Sequence, residues 1–524
     1  MKMSASVLAQ LYHANEHLAL MGGVVAAFTL LAIVHRLSSS RRKLPPGPPG
    51  WPIIGNILQL RDEPWVKFSA WRQVYGDVVC VSAAGQPMVV LNSRDSAIEL
   101  LDRRASIYSD RPRKIVANDI LCDSLLLPLL RYGETWRPTR KAAHESMNKA
   151  AARSFNEYQR EEALILARDA IQDSAGWETH IRRSSASMLL RCLYDQSPVS
   201  SDHDTRLRQI NDFTLRVTLA TLPGAYWVDV LPWMRHIPSI IAPWKRRAQE
   251  WYQKDNRAFR SLFEEVHKDI DDGYERASLN ASLVRKADRT RLSVHESSWL
   301  TASVYAAGSD AIRAALSWWT LAMLLYPETQ RRAQKELDAV VGRARVPTFA
   351  DTANLPYICA MVREVVRWRP VTPLGIPHVS TEDDCYEGYV IPKGTIVCAN
   401  VWELNRDPEA FGANADDFNP ERYLDEKGKL LPSPMGTKDD GSYTFGFGRR
   451  ICVGRHVAND SLFIDIATCL WAFSFVNFDV QKLDANGYID EGTIIVPRPF
   501  EVDIKPRFPE AIEILRQECE LRGR

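Results

Sequence analysis

The stretch Tyr443–Ala458, Y-T-F-G-F-G-R-R-I-C-V-G-R-H-V-A, contains the residues best suited to chemistry. Its single cysteine, Cys452, lies among glycines and arginines. Apolar residues at helical spacing follow at Leu462, Ile466 and Leu470, so the sequence predicts a glycine turn that leads into a helix N-terminus. The partial positive charge of that N-terminus and the nearby arginines both favour a thiolate over a thiol.

A thiolate in such a loop fits an axial haem ligand, because its electron density favours O–O cleavage at the iron. Gly448 and Gly454 are expected to use backbone angles closed to other residues and to let a flat ligand approach the main chain. A buried structural cysteine in a glycine turn is the alternative. A dinucleotide site at Gly446-x-Gly448 is excluded, because Ile451 stands where a third glycine is needed.

The spacing Phe445-x-x-Gly448-x-Arg450-x-Cys452-x-Gly454 resembles the signature of the cytochrome P450 family, the haem-thiolate monooxygenases. The resemblance implies that Cys452 ligates the iron of haem b and that Phe445, Gly448 and Gly454 bind the cofactor. It also implies the cytochrome P450 fold, mainly α with a small β-region, with an N-terminal transmembrane anchor.

Trp136 and Arg140 are four residues apart at the start of a predicted helix and therefore share one of its faces. This W-x-x-x-R pattern resembles the helix of the family whose Trp and Arg hold a haem propionate. By the same resemblance, His378 and Arg450 are further propionate-binding residues. Alone, the W-x-x-x-R pattern is also compatible with an ordinary surface helix, and His378 is also compatible with a surface histidine.

A long apolar helix is predicted from Ser297 to Tyr326, ended by Pro327. A second transmembrane span is the competing interpretation, but Asp310 and Arg313 near its centre would be costly in a bilayer. Asp310 has two candidate roles: a carboxylate that relays protons, or the partner of an i,i+3 ion pair with Arg313.

The middle of this helix resembles the family pattern A-G-x-D/E-T-T, and Gly308 is implied to let the helix pass close to the haem. Ala311 and Ile312 stand where the family has Thr-Thr. Because Ala311 has no hydrogen-bonding group, we expect protons to come from Ser309, from a water on Asp310 or from a substrate hydroxyl. Leakage of reduced oxygen species, or chemistry without O–O scission, is the alternative.

Glu364-x-x-Arg367, in a predicted helix Met361–Trp368, places the two charges on one face, where they can form a bidentate pair. Arg422, in a segment that resembles the P-E-R-F element of the family, is implied to complete a structural triad. Strands are predicted at Val78–Val81, Pro87–Leu91, Gly388–Ile391 and Val397–Val401. The resemblance places three segments at the substrate pocket: Asp110–Leu130, Val371–Ile376 and Gly492–Val496.

The composition and the net charge argue against some classes of function. The 524 residues are 45% hydrophobic and 25% charged with a net charge of +1, so no general attraction to nucleic acid is expected. The nine cysteines contain no C-x-x-C pair, which argues against a zinc site or a disulfide framework and fits a reducing compartment.

An uncharged apolar run at Leu18–Val34, roughly 17 residues long, predicts a membrane anchor at the short end of spanning lengths. Basic residues follow it, which favours a cytosolic side after the run; a cleaved signal peptide is the alternative. The predicted organisation is an anchor (1–36), a basic and proline-rich hinge (37–60), a catalytic domain (61–507) and a C-terminal tail (508–524). The predicted location is the endoplasmic reticulum membrane, single-pass, with the catalytic domain in the cytosol.

A second membrane contact is predicted at Pro223–Trp244, where Trp227, Trp233 and Trp244 lie among aliphatic residues and basic residues follow. An ordinary hydrophobic loop packed on the body is the alternative.

The resemblance implies a monooxygenase that acts on a hydrophobic small molecule with electrons from an NADPH-dependent reductase, and with cytochrome b5 as an optional donor. Arg137, Lys141, Arg449 and Arg455 would form a basic face for the acidic reductase, although a solvated mixed-charge surface is equally consistent. The hinge, loops and tryptophans resemble fungal microsomal members that tailor secondary metabolites or oxidise aromatic xenobiotics. A haem-thiolate isomerase or dehydratase, favoured by Ala311, is the second hypothesis, and a non-catalytic haem- or lipid-binding protein is the third.

Overall fold

The computed structural model describes residues 43–52, 54–199, 204–222, 224–274, 276–476 and 480–524. The predicted anchor and the first part of the predicted hinge lie outside these residues. Within the described ranges, no helix combines the length and the apolar character needed to cross a membrane.

Helices dominate the described chain. They are α1 Pro64–Tyr75, α2 Arg94–Ala97, α3 Trp136–Met147, α4 Lys149–Ala152, α5 Asn156–Gln172, α6 Trp177–Tyr194, α7 Thr205–Thr221, α8 Pro243–Asp271, α9 Leu279–Arg285, α10 Ala287–Thr290, α11 Val294–Leu325, α12 Pro327–Val340, α13 Pro356–Trp368, α14 Val401–Leu404, α15 Pro408–Phe411, α16 Arg455–Ala472 and α17 Ala511–Glu520. Short 3₁₀ turns occur at Ile57–Leu60, Arg153–Phe155, Trp227–Asp229, Pro232–His236, Phe349–Asn354, Pro420–Tyr423, Gly448–Arg450 and Val480–Lys482. Two π-helical turns lie at Ile98–Arg103 and Ile115–Ile120, the second inside the predicted loop Asp110–Leu130.

The strands form a small β-region, as expected. They are β1 Val78–Ala83, β2 Gln86–Leu91, β3 His378–Val379, β4 Asp384–Tyr386, β5 Tyr389–Ile391, β6 Ile396–Ala399, β7 Phe473–Val476, β8 Tyr488–Asp490, β9 Ile495–Pro497 and β10 Asp503–Pro506. One sheet has the order β1-β2-β6-β3, with β2 parallel to β6 and the other pairs antiparallel. The pairs β10-β7, β4-β5 and β8-β9 are separate. The predicted strand Val397–Val401 is too long at its end, because Val401 begins α14.

Helix α11 runs through the core of the molecule. It begins with a capping box between Ser293 and Glu296. Its side chains are buried on nearly all sides, including Trp299, Trp318 and Trp319, as expected for a helix that is apolar all round. It packs against α6, α8 and α16, so residues near its middle lie inside the protein.

The described part of the predicted hinge is not a free linker. Cys80 N donates to Pro46 O at 2.8 Å, and Val390 N donates to Lys43 O at 2.8 Å. Both bonds hold this segment along the β-region. The predicted tail also joins the body, because α17 packs against α5 and buries Leu515.

Candidate functional site

The loop before α16 presents Cys452 on a tightly constrained backbone. Cys452 N donates to Phe445 O at 2.8 Å, which closes the turn. Gly446 and Gly448 have φ of +80° and +54°, values that favour glycine. At Gly448 a Cβ would also clash with the carbonyl oxygen of Leu101. The predicted need for glycine therefore holds at Gly448 for two independent reasons.

The backbone angle predicted for Gly454 is wrong, whereas its predicted contact with the cofactor stays a prediction. Its φ is −84°, a conformation open to other residues, and it is the N-cap of α16. A Cβ there would meet the Met147 Cε at 3.8 Å, an ordinary contact. The backbone N–H of Gly454 instead bonds the Cys452 sulfur.

Burial raises the pKa of Cys452, although the Gly454 N–H, Arg140 and Arg455 act to lower it. Without a bound metal, desolvation therefore opposes the thiolate more than the arginines and the helix N-terminus favour it. Protein atoms surround the Cys452 side chain, but part of its surface nevertheless remains accessible. A bound metal would supply the missing stabilisation, since a coordinating thiol is deprotonated.

Trp136, Arg140 and Arg450 converge beside this loop. The Arg140 Nη2 donates to Ile451 O at 2.5 Å, and the Arg450 guanidinium lies 4.6 Å from the centre of the Trp136 ring. Arg450 also donates from Nε to Ser109 O at 2.7 Å. Burial lowers the pKa of Arg450 to about 10.

His378 lies near Arg450, and its Nδ1–H donates to Tyr108 O at 2.7 Å. Burial and the neighbouring Arg111 lower the pKa of His378 far below its usual value. The remaining nitrogen, Nε2, can donate to a propionate only in the protonated ring. The predicted donor role of His378 therefore requires an anion nearby to raise this pKa.

Arg111 is a site residue that the sequence did not indicate. It is buried and donates from Nη1 to Ile376 O at 2.5 Å and to Pro377 O at 2.7 Å. It thereby joins the predicted pocket loop to the strand that carries His378. In the sequence, Arg111 is a lone arginine in a predicted loop, and no residue spacing there identifies its partners.

An open window interrupts the buried surface of α11. Ala307 is exposed and Ala311 is half-buried, whereas Val304, Ala314 and Ala315 around them are buried. Ala307 and Ala311 are one turn apart and share a face. Two methyl groups, rather than larger side chains, line this space, so a flat ligand can lie against the helix.

Gly308, an i,i+3 neighbour of Ala311, borders this face and also faces α6, whereas Ser309 does not share it. A Cβ on Gly308 would lie 3.0 Å from the Leu189 Cδ1 of α6, so this glycine permits helix–helix contact. Ser309 is buried against Tyr305. Two residues correspond to about 200° of helix rotation, so Ser309 points away from Ala307 and Ala311. The structure therefore does not bring the predicted hydroxyl donor to the window.

Asp310 flanks the window and belongs to an ion cluster. The Arg313 Nε lies 3.7 Å from the Asp310 Oδ1. Arg313 also pairs with Glu178 at 3.2 Å and with Glu491. Burial raises the pKa of Asp310. The ion-pair role proposed for Asp310 is thus present in the structure, and a carboxyl with a raised pKa also suits proton relay.

The predicted triad is confirmed. The Arg367 Nε and Nη2 donate to Glu364 at 2.7 and 2.8 Å, and the Arg422 Nε lies 3.1 Å from the Glu364 Oε1. Glu364 and Arg367 are fully buried. Arg422 also lines a separate surface cleft of ≈ 570 Å³ that does not include Cys452 or the window.

These residues fit a haem held by a thiolate. Cys452 has accessible surface, and Ala307 and Ala311 offer a flat apolar window. The buried Arg450 Nη1 has no hydrogen-bond partner among the described residues. A buried orphan donor of this kind is costly, and a propionate oxygen would satisfy it. The site therefore defines a haem-thiolate protein, and Arg450, Arg140 and Trp136 remain the residues predicted to hold the propionates.

The comparisons with known proteins agree with this geometry. A family model described as Cytochrome P450 matches residues 45–503. A cytochrome P450 monooxygenase of Armillaria gallica is 51% identical over 95% of this chain and 96% of its own length. Cytochrome P450 monooxygenase 58 of Postia placenta is 41% identical over 93% and 94%. Cytochrome P450 monooxygenase iboC of Amanita muscaria is 39% identical over 96% and 98%.

The chain belongs to the cytochrome P450 family. It is accordingly an oxidoreductase that incorporates oxygen from dioxygen and uses haem iron with a cysteine thiolate ligand. Members of this family generally act on hydrophobic substrates with a redox partner.

Proposed function

We propose that the protein is a membrane-bound monooxygenase that inserts one oxygen atom into a hydrophobic small molecule, with Cys452 as the axial ligand and electrons from an NADPH-dependent reductase. The observation that carries the proposal is the accessible Cys452 beside the orphan donor of Arg450. The haem, when bound, supplies dioxygen activation. The fungal sources of relatives at 39–51% identity support a role in secondary metabolism or in oxidation of aromatic xenobiotics.

Arg450, Arg140 and Trp136 would hold and orient the cofactor from one side, and the methyl groups of Ala307 and Ala311 would leave room on the other. Asp310 is the residue near the window that can hold a proton, since burial raises its pKa. We propose that it passes protons toward the window through water, because Ser309 points elsewhere and Ala311 has no hydroxyl.

A basic surface beside the cysteine loop supports the proposal that a reductase docks there. Arg137, Lys141 and Arg449 are exposed. The guanidinium groups of Arg137 and Arg449 lie 5.3 and 5.4 Å from the Tyr132 ring, which holds the two cations side by side. Arg455, also predicted for this face, is instead paired with Asp440 at 3.2 Å and is mostly buried. The proposed docking face therefore consists of the first three residues, with cytochrome b5 as an optional second donor.

The same proposal includes the location of the protein in the cell. The apolar run Leu18–Val34 would anchor the chain in the endoplasmic reticulum membrane, with the body in the cytosol. The exposed Trp227 and Trp233 support a second contact with that membrane.

The absorbance difference spectrum of the dithionite-reduced protein with carbon monoxide tests the site. We expect a strongly red-shifted Soret band in the wild type and its absence in Cys452→Ala. Folded protein without haem, or the same band in Cys452→Ala, would contradict the assignment. NADPH-dependent turnover with added reductase then tests the electron supply, and Arg137→Glu with Lys141→Glu should slow reduction of the haem by the reductase but not by dithionite.

A haem-thiolate isomerase or dehydratase is the second candidate, favoured by one observation. The window carries Ala311 and no hydroxyl group, and such chemistry needs no proton relay and no reductase. Turnover of a peroxide substrate without NADPH, together with no NADPH-dependent product, would favour this candidate over the monooxygenase.

A further inference from the structure

The 3₁₀ turn Gly448–Arg450, which precedes Cys452, lacks a capping side chain of its own. Its N-cap residue is Phe447, which forms no capping hydrogen bond. The first N–H groups of a helical turn have no partner inside the turn and need one from elsewhere. Phe447 cannot be exchanged for a capping residue without loss, because its ring is buried and stacks on Tyr443. The partner of the Gly448 N–H must therefore come from another part of the chain.

Asp102, in the π-helical turn Ile98–Arg103, provides this partner. Its Oδ1 accepts the Gly448 N–H at 2.5 Å, from a position 346 residues earlier in the chain. The backbones of the two turns are also in contact, because a Cβ on Gly448 would clash with Leu101 O. The Asp102 side chain is 10% exposed. A hydrogen bond to an ionised carboxylate is about twice as strong as one between neutral groups, so this bond connects the two turns strongly.

The bond at Gly448 is linked to Cys452 through two further backbone bonds of the cysteine loop, residues 445 to 454. Ile451 N donates to Gly448 O at 3.3 Å, and Cys452 N donates to Phe445 O at 2.8 Å. Because Ile451 directly precedes Cys452, a displacement of Gly448 would also displace the backbone that orients the Cys452 sulfur. Asp102 therefore acts on the cysteine through a single N–H group.

The second oxygen of Asp102 has a weaker partner. Its Oδ2 lies 3.2 Å from the Lys438 Nζ, and the Lys438 side chain is 47% exposed. An exposed ion pair of this kind contributes little stability, so the bond to Gly448 is the stronger connection. Glu99, a carboxylate in the same π-helical turn, bonds neighbouring arginines instead. Of these two carboxylates, Asp102 is the one that contacts the cysteine loop.

We propose that Asp102 is a positioning residue for the cysteine ligand. Its carboxylate caps the turn before Cys452 and thereby keeps the sulfur in the place where it ligates the haem iron. It does so through the bond to the Gly448 N–H and not through its negative charge. The inference rests on one part of the proposed function, the ligation of haem iron by Cys452, and it is independent of the substrate, the reductase and the membrane.

The test compares three substitutions in the π-helical turn. Asp102→Ala removes the acceptor, Asp102→Asn keeps an acceptor oxygen without the charge, and Glu99→Ala removes the neighbouring carboxylate. Hydrogen exchange of the Gly448 amide in the haem-loaded protein should be about tenfold faster in Asp102→Ala, the factor that loss of one charged hydrogen bond allows. It should stay within about threefold of the wild type in Asp102→Asn, because the bond that remains is about half as strong. Glu99→Ala should behave as the wild type.

The second readout is the reduced protein with carbon monoxide. The rate at which its strongly red-shifted Soret band is lost at one fixed temperature measures release of the thiolate. We expect the same order, with Asp102→Ala fastest, Asp102→Asn intermediate and Glu99→Ala equal to the wild type. Lys438→Met, which leaves the bond to Gly448 in place, should change this rate by less than about twofold.

Unchanged exchange or an unchanged rate of band loss in Asp102→Ala would overturn the proposal. Equal effects of Asp102→Ala and Asp102→Asn would also overturn it, because they would assign the effect to the charge. An equal effect of Glu99→Ala would do the same, because it would show a general loosening of the turn. If Asp102→Ala does not fold, Asp102→Ser takes its place, since its hydroxyl is one bond too short to reach the Gly448 N–H. The expected exchange pattern without a red-shifted band in the wild type would contradict the ligation of haem iron by Cys452, and not the cap that Asp102 forms.

Discussion

At the scale of single residues, the unusual feature is the methyl group of Ala311 in the open window of α11. Ser309 lies about 200° away around the helix, and Gly308 faces α6. A hydroxyl restored at position 311 would point into the window. Ala311→Thr should therefore reduce the hydrogen peroxide released per NADPH consumed by about fivefold, the factor given by one hydrogen bond of about 1 kcal/mol.

The matched control is Ser309→Ala, which removes a hydroxyl from the opposite face. It should leave the peroxide yield unchanged in the reductase-reconstituted enzyme. A rise in peroxide with Ser309→Ala would show that this hydroxyl supplies protons despite its orientation.

A second prediction at this scale concerns Asp440, whose carboxylate pairs with Arg455 at 3.2 Å beneath the cysteine loop. Burial raises its pKa from 3.8 to about 6. Between these values the folded protein binds more protons than the unfolded chain, so stability should fall as the pH rises. The free energy of unfolding should decrease by about 1 kcal/mol from this group between pH 5 and 7. Urea unfolding of Asp440→Asn should lack this decrease, and an unchanged pH profile would show that another group titrates.

At the scale of elements, the Glu364 triad ties α13 to the 3₁₀ turn Pro420–Tyr423. Glu364→Gln would leave two buried guanidinium groups with weaker compensation, which should cost about 3 kcal/mol or more. Urea unfolding and haem content per protein measure the effect. Glu421→Gln, a neighbour with a side chain 53% exposed, should change stability by less than about 0.5 kcal/mol. Equal effects of the two changes would contradict the structural role of the triad.

The segment between α7 and α8 leads to a second prediction at this scale. Trp227, Trp233, Ile240 and Ile241 are 72%, 65%, 83% and 69% exposed. A cluster of large apolar side chains so exposed marks a contact surface, and tryptophan favours the bilayer interface. In nanodiscs, amides from 227 to 241 should exchange more slowly than in detergent-free solution, and Trp233→Ser with Ile240→Ser should reduce this protection. Amides from 425 to 429, in an exposed turn, are the internal control, and equal protection there would contradict the membrane contact.

Secondary-structure elements could be predicted where the spacing of nearby residues determines them. Which side of an element packs against another element could not be predicted from that spacing. The glycine turn at Cys452 and the end of α11 before Pro327 follow from patterns within a few residues, whereas α11 begins at Val294, three residues before the predicted Ser297. The packing of Gly308 against Leu189 of α6, by contrast, joins residues far apart in the chain, which no local pattern reveals. Two further partners of Arg313 are likewise distant, at separations of 135 residues for Glu178 and 178 for Glu491, whereas the nearby Asp310 was predictable. The burial that raises the pKa of Cys452 is likewise set by the whole fold, whereas the thiolate ligand itself is the one that the family uses.

At the scale of the whole molecule, the described chain behaves as one body from the hinge to its last helix. In the segment 508–524, predicted as a C-terminal tail, Ala511, Leu515 and Cys519 of α17 are buried against the body. The Arg160 Nη2 on α5 also pairs with Glu518 at 3.2 Å. The C-terminal segment is therefore part of the same hydrophobic core as the haem site.

The substitution Leu515→Ala tests whether α17 unfolds together with the rest of the protein. Leu515 is fully buried, and its truncation should lower the free energy of unfolding by about 3 kcal/mol, as for other buried leucines. Leu521→Ala, just past the end of α17 and 81% exposed, should change it by less than about 0.5 kcal/mol. Because the core is shared, the loss in Leu515→Ala should appear in one transition, followed at the same urea concentration by the Soret band and by far-ultraviolet circular dichroism. Two separate transitions, or equal stability of the two variants, would show that the last helix folds apart from the haem domain.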